Sequence, residues 1–236
     1  MTQVEGSVAL VTGGSRGIGR SLVQALYERG ASKVYATARD PRTVTHPDAV
    51  PLALEITDPD SVTAAAREAC DITILVNNAG ILLGSSFLDS PVEDIRREFE
   101  TNFYGPLHTT RAFVPVLEGN GGGHILTMHS VLSWFTFPGV EAYSASKAAL
   151  WSQTNALRLA LRGRGIAVTG VHVAYTDTDM VAGVEAPKNS PDLVARLALD
   201  GIESNAHEVL VDDLTRQVKA GLAADVAVLY PEVAAG

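Results

Sequence analysis

Residues Ser7–Gly19 read SVALVTGGSRGIG, a short apolar run with β-branched residues that passes into a Gly-rich turn and then into a helical pattern extending to about Gly30. Strand, phosphate-sized loop and helix follow one another without a gap. Gly13 permits the tight turn, and Gly17 and Gly19 let backbone approach a pyrophosphate and pack the helix near the strand. The helix N-terminus offers free N–H groups to an anion. The glycine spacing differs from G-x-G-x-x-G, the usual dinucleotide fingerprint.

Working outward, Lys33–Ala38, Val50–Glu55, Ile72–Val76, His124–Met128, Ile166–Val173 and Glu208–Val211 are further short runs of nearly continuous apolar character. Such strands belong to a sheet covered on both faces. Between them, Val92, Ile95, Phe99, Phe103 and Leu107 mark a helix from Pro91 to about Leu117, with Ser90 placed to cap it, and Tyr143–Arg162 reads as a second long helix. Alternating strands and helices predict a single doubly wound α/β domain of Rossmann type, spanning 1–236, with a mainly parallel seven-stranded sheet and helices on both faces. Asp58 is expected to start a helix, as its cap or as an acid of its first turn.

The composition, 46% hydrophobic and 19% charged over 236 residues, fits one globular domain. A net charge of −9 without a dense Lys/Arg stretch argues against nucleic acid and anionic membranes as partners. No signal sequence or membrane-spanning run is read, and Cys70, the only cysteine, is expected in helix packing, so a cytoplasmic location is expected. His124 and His129 lack an acidic partner nearby and neither His46 nor His207 repairs that, so no metal is expected.

Five motifs occur in order: Thr12-Gly13-x3-Gly17-x-Gly19, Asn77-Asn78-Ala79-Gly80, Asn102, Ser130 and Tyr143-x3-Lys147. Taken alone, Tyr143 and Lys147 lie four apart on one helix face, where a cation beside a phenol favours the phenolate. The set resembles the short-chain dehydrogenase/reductase family over nearly the whole chain. The resemblance implies an NADP(H)-dependent oxidoreductase that interconverts a ketone or aldehyde with the alcohol. Tyr143 would be proton donor and acceptor, Ser130 would orient and polarise the carbonyl, and Lys147 would lower the Tyr143 pKa and hold the nicotinamide ribose. Asn102 resembles the position whose main chain anchors a water linking Lys147 to solvent.

The same resemblance assigns the cofactor to Gly13, Ser15, Arg16, Gly17, Ile18 and Gly19 in the first loop and to Asn77, Ala79 and Gly80 after the fourth strand. Glu55 and Ile56 occupy the place of a family Asp-Val pair that meets adenine. Ala38 stands where NAD-using members carry an acid, and Arg39 follows it, so Arg16 and Arg39 are expected to converge on a 2′-phosphate. Asp40 is read as a turn residue at Pro41. After the sixth strand, Ala174 replaces a usual Gly, while Thr176, Thr178 and Met180 remain candidates for the carboxamide and pyrophosphate. Trp134, Val140 and Tyr175 are candidate substrate-pocket residues, with Phe135 and Phe137 nearby. Residues 179–204 are expected to form a substrate lid. A homotetramer or homodimer built on helices near 91–118 and 143–163 is implied by the resemblance. The competing reading is a nicotinamide sensor or scaffold that keeps the fold without catalysis.

Overall fold

Strands β1 (Val8–Val11), β2 (Lys33–Ala38), β3 (Val50–Ala53), β4 (Ile74–Asn77), β5 (Gly123–Met128), β6 (Ile166–His172) and β7 (Glu208–Leu210) form one sheet in the order β3-β2-β1-β4-β5-β6-β7. Every pairing is parallel. These coordinates come from a computed structural model, which describes residues 2–231.

Both sheet faces are covered, which is why the strands read as continuous apolar runs. Successive side chains point to opposite faces. Leu10, Leu75 and Ile125 therefore pack with Val62 and Ala65 of α2 (Pro59–Glu68) and with Phe113 and Leu117 of α4 (Gly105–Gly119). Their neighbours Val11, Val76 and Leu126 turn the other way, toward Leu22 and Leu26 of α1 (Gly17–Glu28) and Ala198 and Leu199 of α6 (Pro191–Glu203). The chain runs outward from β1 to β3 and returns to β4 beside β1, so the carboxyl ends of β1 and β4 flank a topological switch point.

Several boundaries differ from the sequence expectation. The helix expected over 91–117 is α3 (Val92–Phe99) joined to α4 through a π-turn at Glu100–Tyr104. Pro106 has no N–H to give to the carbonyl four residues earlier, and Gly105 donates five residues back to Glu100. Ser90 does not cap α3, because its hydroxyl accepts the Ser86 amide and Pro91 takes the cap position. Asp58 caps α2 as expected, through the Asp60 amide. Cys70 is exposed rather than packed.

The 179–204 segment is only partly a surface excursion. Residues 191–203 are α6, whose Val194, Ala195, Ala198, Leu199 and Ile202 are fully buried on the sheet. Ser190 caps it through the Leu193 amide. Only about 179–190 of the segment lies outside this helix as a surface excursion.

Gly19 lies where α1 passes nearest the loop after β1: a Cβ there would sit 2.1 Å from the Gly13 carbonyl oxygen. Gly19→Ala is expected to lower Tm by roughly 5–10 °C, from a strain of about 2 kcal/mol or more. Gly119→Ala, which meets nothing within 4 Å, should leave Tm unchanged or raise it. Thermal unfolding by circular dichroism checks both, and equal Tm values would refute the close-approach account.

Candidate active site

The loop after β1 is shaped by two left-handed glycines, Gly13 at φ 66° and Gly17 at φ 51°. Arg16 occupies the cap position of α1 without a side-chain cap bond, so the first amides of that helix keep their capacity for an anion. The loop is tied to the β4 end by Thr12, whose hydroxyl accepts the Asn78 and Ala79 amides at 2.9 and 3.0 Å. Asn78 returns a bond from Nδ2 to the Thr12 carbonyl. Thr178 approaches from the loop after β6, its Cγ2 within 3.1 Å of where a Gly17 Cβ would be.

The expected cofactor residues sort into three groups. Gly13, Gly17, Gly19, Ala79, Gly80 and Thr178 line the crevice at the switch point, with Ser15 and Ile18 in the same turn and helix start. Thr176 is 5% exposed and its hydroxyl has no hydrogen-bond partner. Arg16 and Arg39 are exposed at the rim, Arg16 lying 3.6 Å from Asp179 and Arg39 4.0 Å from Glu55. Asp40 caps the turn at Pro41–Thr43 and grips the Arg42 guanidinium, which lowers its carboxyl pKa.

Other side chains face away. The Asn77 amide is held by Thr109 and Thr110 of α4 and braces the strand end. Glu55 folds back onto Thr57, and Ile56 is buried against Gly105, leaving main chain at that edge. Met180 is 45% exposed.

Ser130, Tyr143 and Lys147 come together behind this crevice. Ser130 caps the start of the turn after β5, where its hydroxyl accepts the Leu132 amide and its own amide goes to the Ser133 hydroxyl. Helix α5 (Glu141–Ala160) starts two residues before Tyr143 and places Lys147 one turn later. The Lys147 ammonium donates to the Met128 carbonyl at 3.0 Å and lies 5.7 Å from the Tyr143 ring centre. The expected lowering of the phenol pKa by Lys147 is not what this arrangement gives. Burial pushes Tyr143 up to about 12, with Ser130 opposing and Glu98 adding to the rise, while burial brings Lys147 down to about 8. The Asn102 side chain bonds both the amide and the carbonyl of Ile81 and the Ser146 hydroxyl.

Of the three pocket candidates, Val140 packs with Leu82, Phe135, Phe137, Ala174 and Val218 around Tyr143. Trp134 belongs elsewhere. Its ring stacks on His172 at 4.0 Å, His172 stacks on His129, and Lys219 sits 4.5 Å above the indole. Tyr175 is half-buried and its carbonyl accepts Asn189. Missed by the sequence reading is Asp212, at the N-terminus of α7 (Asp213–Gly221), which binds the Ala174 amide, Asn189 and Thr215. Asp at a helix start gave only a cap signal. Among the described residues no three metal-ligating side chains cluster, and no helix is long and apolar enough to cross a membrane.

The sequence pattern of the short chain dehydrogenase family matches residues 7–189. The human protein named short-chain dehydrogenase/reductase 3 is 32% identical over 216 residues, covering 83% of this chain and 72% of that protein. A short chain dehydrogenase from Burkholderia cenocepacia, solved in complex with NADP, superposes with a TM-score of 0.93 at 37% identity, covering 98% of this chain and 99% of that one. A 3-ketoacyl-(acyl-carrier-protein) reductase from Brucella melitensis, complexed with NADH, gives 0.81 at 26% identity over 88% of this chain and 97% of that one.

Burying the Lys147 ammonium generates a stability prediction. Holding it charged at neutral pH costs on the order of 3 kcal/mol, less about 1 kcal/mol returned by the Met128 hydrogen bond. Lys147→Met should therefore raise Tm at pH 7 by roughly 4–8 °C. Because the folded pKa, about 8, lies below the ordinary 10.5, the penalty is full below pH 8 and fades as pH rises toward 10.5. The gap in Tm should close over that window. A gap that is absent at pH 7, or that widens with pH, would refute the buried-cation account.

Proposed function

The chain belongs to the short chain dehydrogenase family, a family of oxidoreductases, and on that footing we propose that it is an NADP(H)-dependent enzyme interconverting a ketone or aldehyde with its alcohol. The observation that carries the reading is the convergence of Ser130, Tyr143 and Lys147 beside a glycine-lined crevice at the sheet's switch point. A pure binder has no use for a buried phenol and ammonium at that place.

NADP(H), when bound, supplies the hydride. Tyr143 gives the proton to the carbonyl oxygen, and with a pKa near 12 the phenol is fully protonated at neutral pH, the form that reduction consumes. Ser130 donates a hydrogen bond that orients and polarises that oxygen. Lys147, which donates to the Met128 carbonyl, would hold the ribose, and its charge would stabilise the phenolate left behind. Asn102 keeps Ile81 and Ser146 in place beside Lys147. The half-buried Val140, Phe137 and Leu82 exclude water from the reacting carbonyl, which favours apolar substrates.

Ser15, Gly17 and Ile18 would hold the pyrophosphate, the backbone at Asn77–Gly80 and at Ile56 would pass along the adenosine half, and the unpartnered Thr176 hydroxyl fits the carboxamide. For the 2′-phosphate, Arg39 is held only by a long, exposed contact to Glu55 and can swing toward it, with Arg16 across the ribose. Residues 179–190, rather than the whole of 179–204, serve as the lid. One domain working in the cytoplasm as a homo-oligomer completes the proposal.

Tyr143→Phe is expected to lower kcat by about 10³-fold with NADPH binding within a few-fold of wild type, and Ser130→Ala by a smaller factor, about 10–100-fold. Ketone reduction followed by NADPH absorbance checks this, and near-normal turnover in Tyr143→Phe would sink the mechanism. Arg39→Ala should raise the KM for NADPH at least about tenfold and leave that for NADH nearly unchanged. If wild type prefers NADH, or both cofactors respond alike, the 2′-phosphate is not read by this arginine.

A further inference from the structure

Glu98 is fully buried, and among the described residues it is the only acidic side chain in the interior. A buried carboxyl is costly unless its environment uses it. It lies at the end of α3, one helical turn before Asn102. One oxygen accepts the Leu83 amide at 2.7 Å, and the other has no hydrogen-bond partner. Asn102 takes the amide and carbonyl of Ile81, each at 2.9 Å. Two side chains from adjacent turns thus hold three backbone groups of an irregular loop that has no ladder of its own.

That loop joins the crevice to the pocket. Gly80, at its start, lies against Asn102 and Lys147. Leu82, between the two anchored residues, packs in the same apolar cluster as Tyr143, Phe137 and Val140. The carboxyl is also close enough to raise the Tyr143 pKa electrostatically, while burial raises its own against the opposing Leu83 and Gly84 amides.

We propose that Glu98 is a positioning residue for the carbonyl substrate: with Asn102 it clamps Ile81–Leu83 into the pocket wall that presses Leu82 against Tyr143. The inference rests on the reductase reading above, so it is tested by one measurement that depends on turnover and one that does not. Glu98→Leu removes the acceptor at similar size. Glu98→Gln keeps an acceptor oxygen and cannot ionise.

Glu98→Leu is expected to raise substrate KM at least about tenfold while NADPH KM stays within about twofold, and to speed hydrogen exchange in the 81–84 peptide by about tenfold or more. Glu98→Gln should bring both quantities back to within about threefold of wild type. Unchanged exchange in Glu98→Leu, an equal rise in both KM values, or a Gln variant no better than Leu would overturn the proposal. Should Glu98→Leu not fold, Leu82→Ala leaves the clamp intact and removes the side chain it presents. That variant must raise substrate KM likewise, and an unchanged value overturns the proposal. A wild type without reductase activity would show in the kinetics alone, leaving the exchange comparison of wild type and Glu98→Leu to decide the clamp.

Discussion

The Thr12 hydroxyl accepts two amides from the loop after β4 and gives its proton to the Val76 carbonyl, joining the halves of the sheet where their connections diverge. Parallel strands whose crossovers leave on opposite sides open a crevice at that point, and nothing in the ladder itself fixes how far the two loops stand apart. Thr12 and the return bond from Asn78 fix it. The glycine turn can then approach so closely that a Gly13 Cβ would lie 3.2 Å from Ala79. Anion-accepting amides on one wall and Gly80 on the other follow from this spacing, and Gly80 in turn leaves room for Asn102 and Lys147.

Burial, rather than charge pairing, sets the chemistry behind the crevice. Tyr143 and Lys147 are driven toward their neutral forms by the same loss of water, so their reactive states depend on what a ligand adds. The neighbouring histidines follow the same rule: His129 and His172 are held neutral by desolvation and can stack on one another and on Trp134 without a cationic ring among them. Glu208, which stays ionised, meets Lys219 at 2.8 Å and Trp151 at 3.0 Å, and closes that stack toward the surface. The Glu208–Lys219 charge pair thereby lies at the outer edge of the aromatic stack.

What was legible in the sequence is what local periodicity and backbone stereochemistry encode. Continuous apolar strands announced a sheet covered on both faces, and the left-handed glycines of the first loop announced the crevice. The Tyr143–Lys147 pair follows from helical spacing. Trp134 was misplaced because an aromatic at a strand end has two faces available, and only the partner ring of His172, contributed by β6, decides between them. Glu98 gave no signal, since a carboxylate within EDIRREFE looks like solvent-facing helix until the 81–84 loop is laid over it. The expectation of one lid over 179–204 did not separate its helical half, because Pro191 opens α6, where a missing N–H costs nothing.

Ala174 shows how a departure from the family pattern is absorbed. Glycine at such a turn suggests a left-handed backbone, but among the described residues the only non-glycine residue at positive φ is Asn205, so Ala174 carries no such strain. Its amide is satisfied by Asp212 at 2.9 Å, and its methyl joins the apolar cluster around Tyr143. The same carboxylate oxygen binds Asn189, whose backbone bridges Thr176, while the other oxygen caps α7 through Thr215. Both ends of the segment after β6 are therefore pinned to a single side chain on the far edge of the sheet. The residues between those pins are mostly exposed, so the path of the segment is fixed chiefly at its two ends.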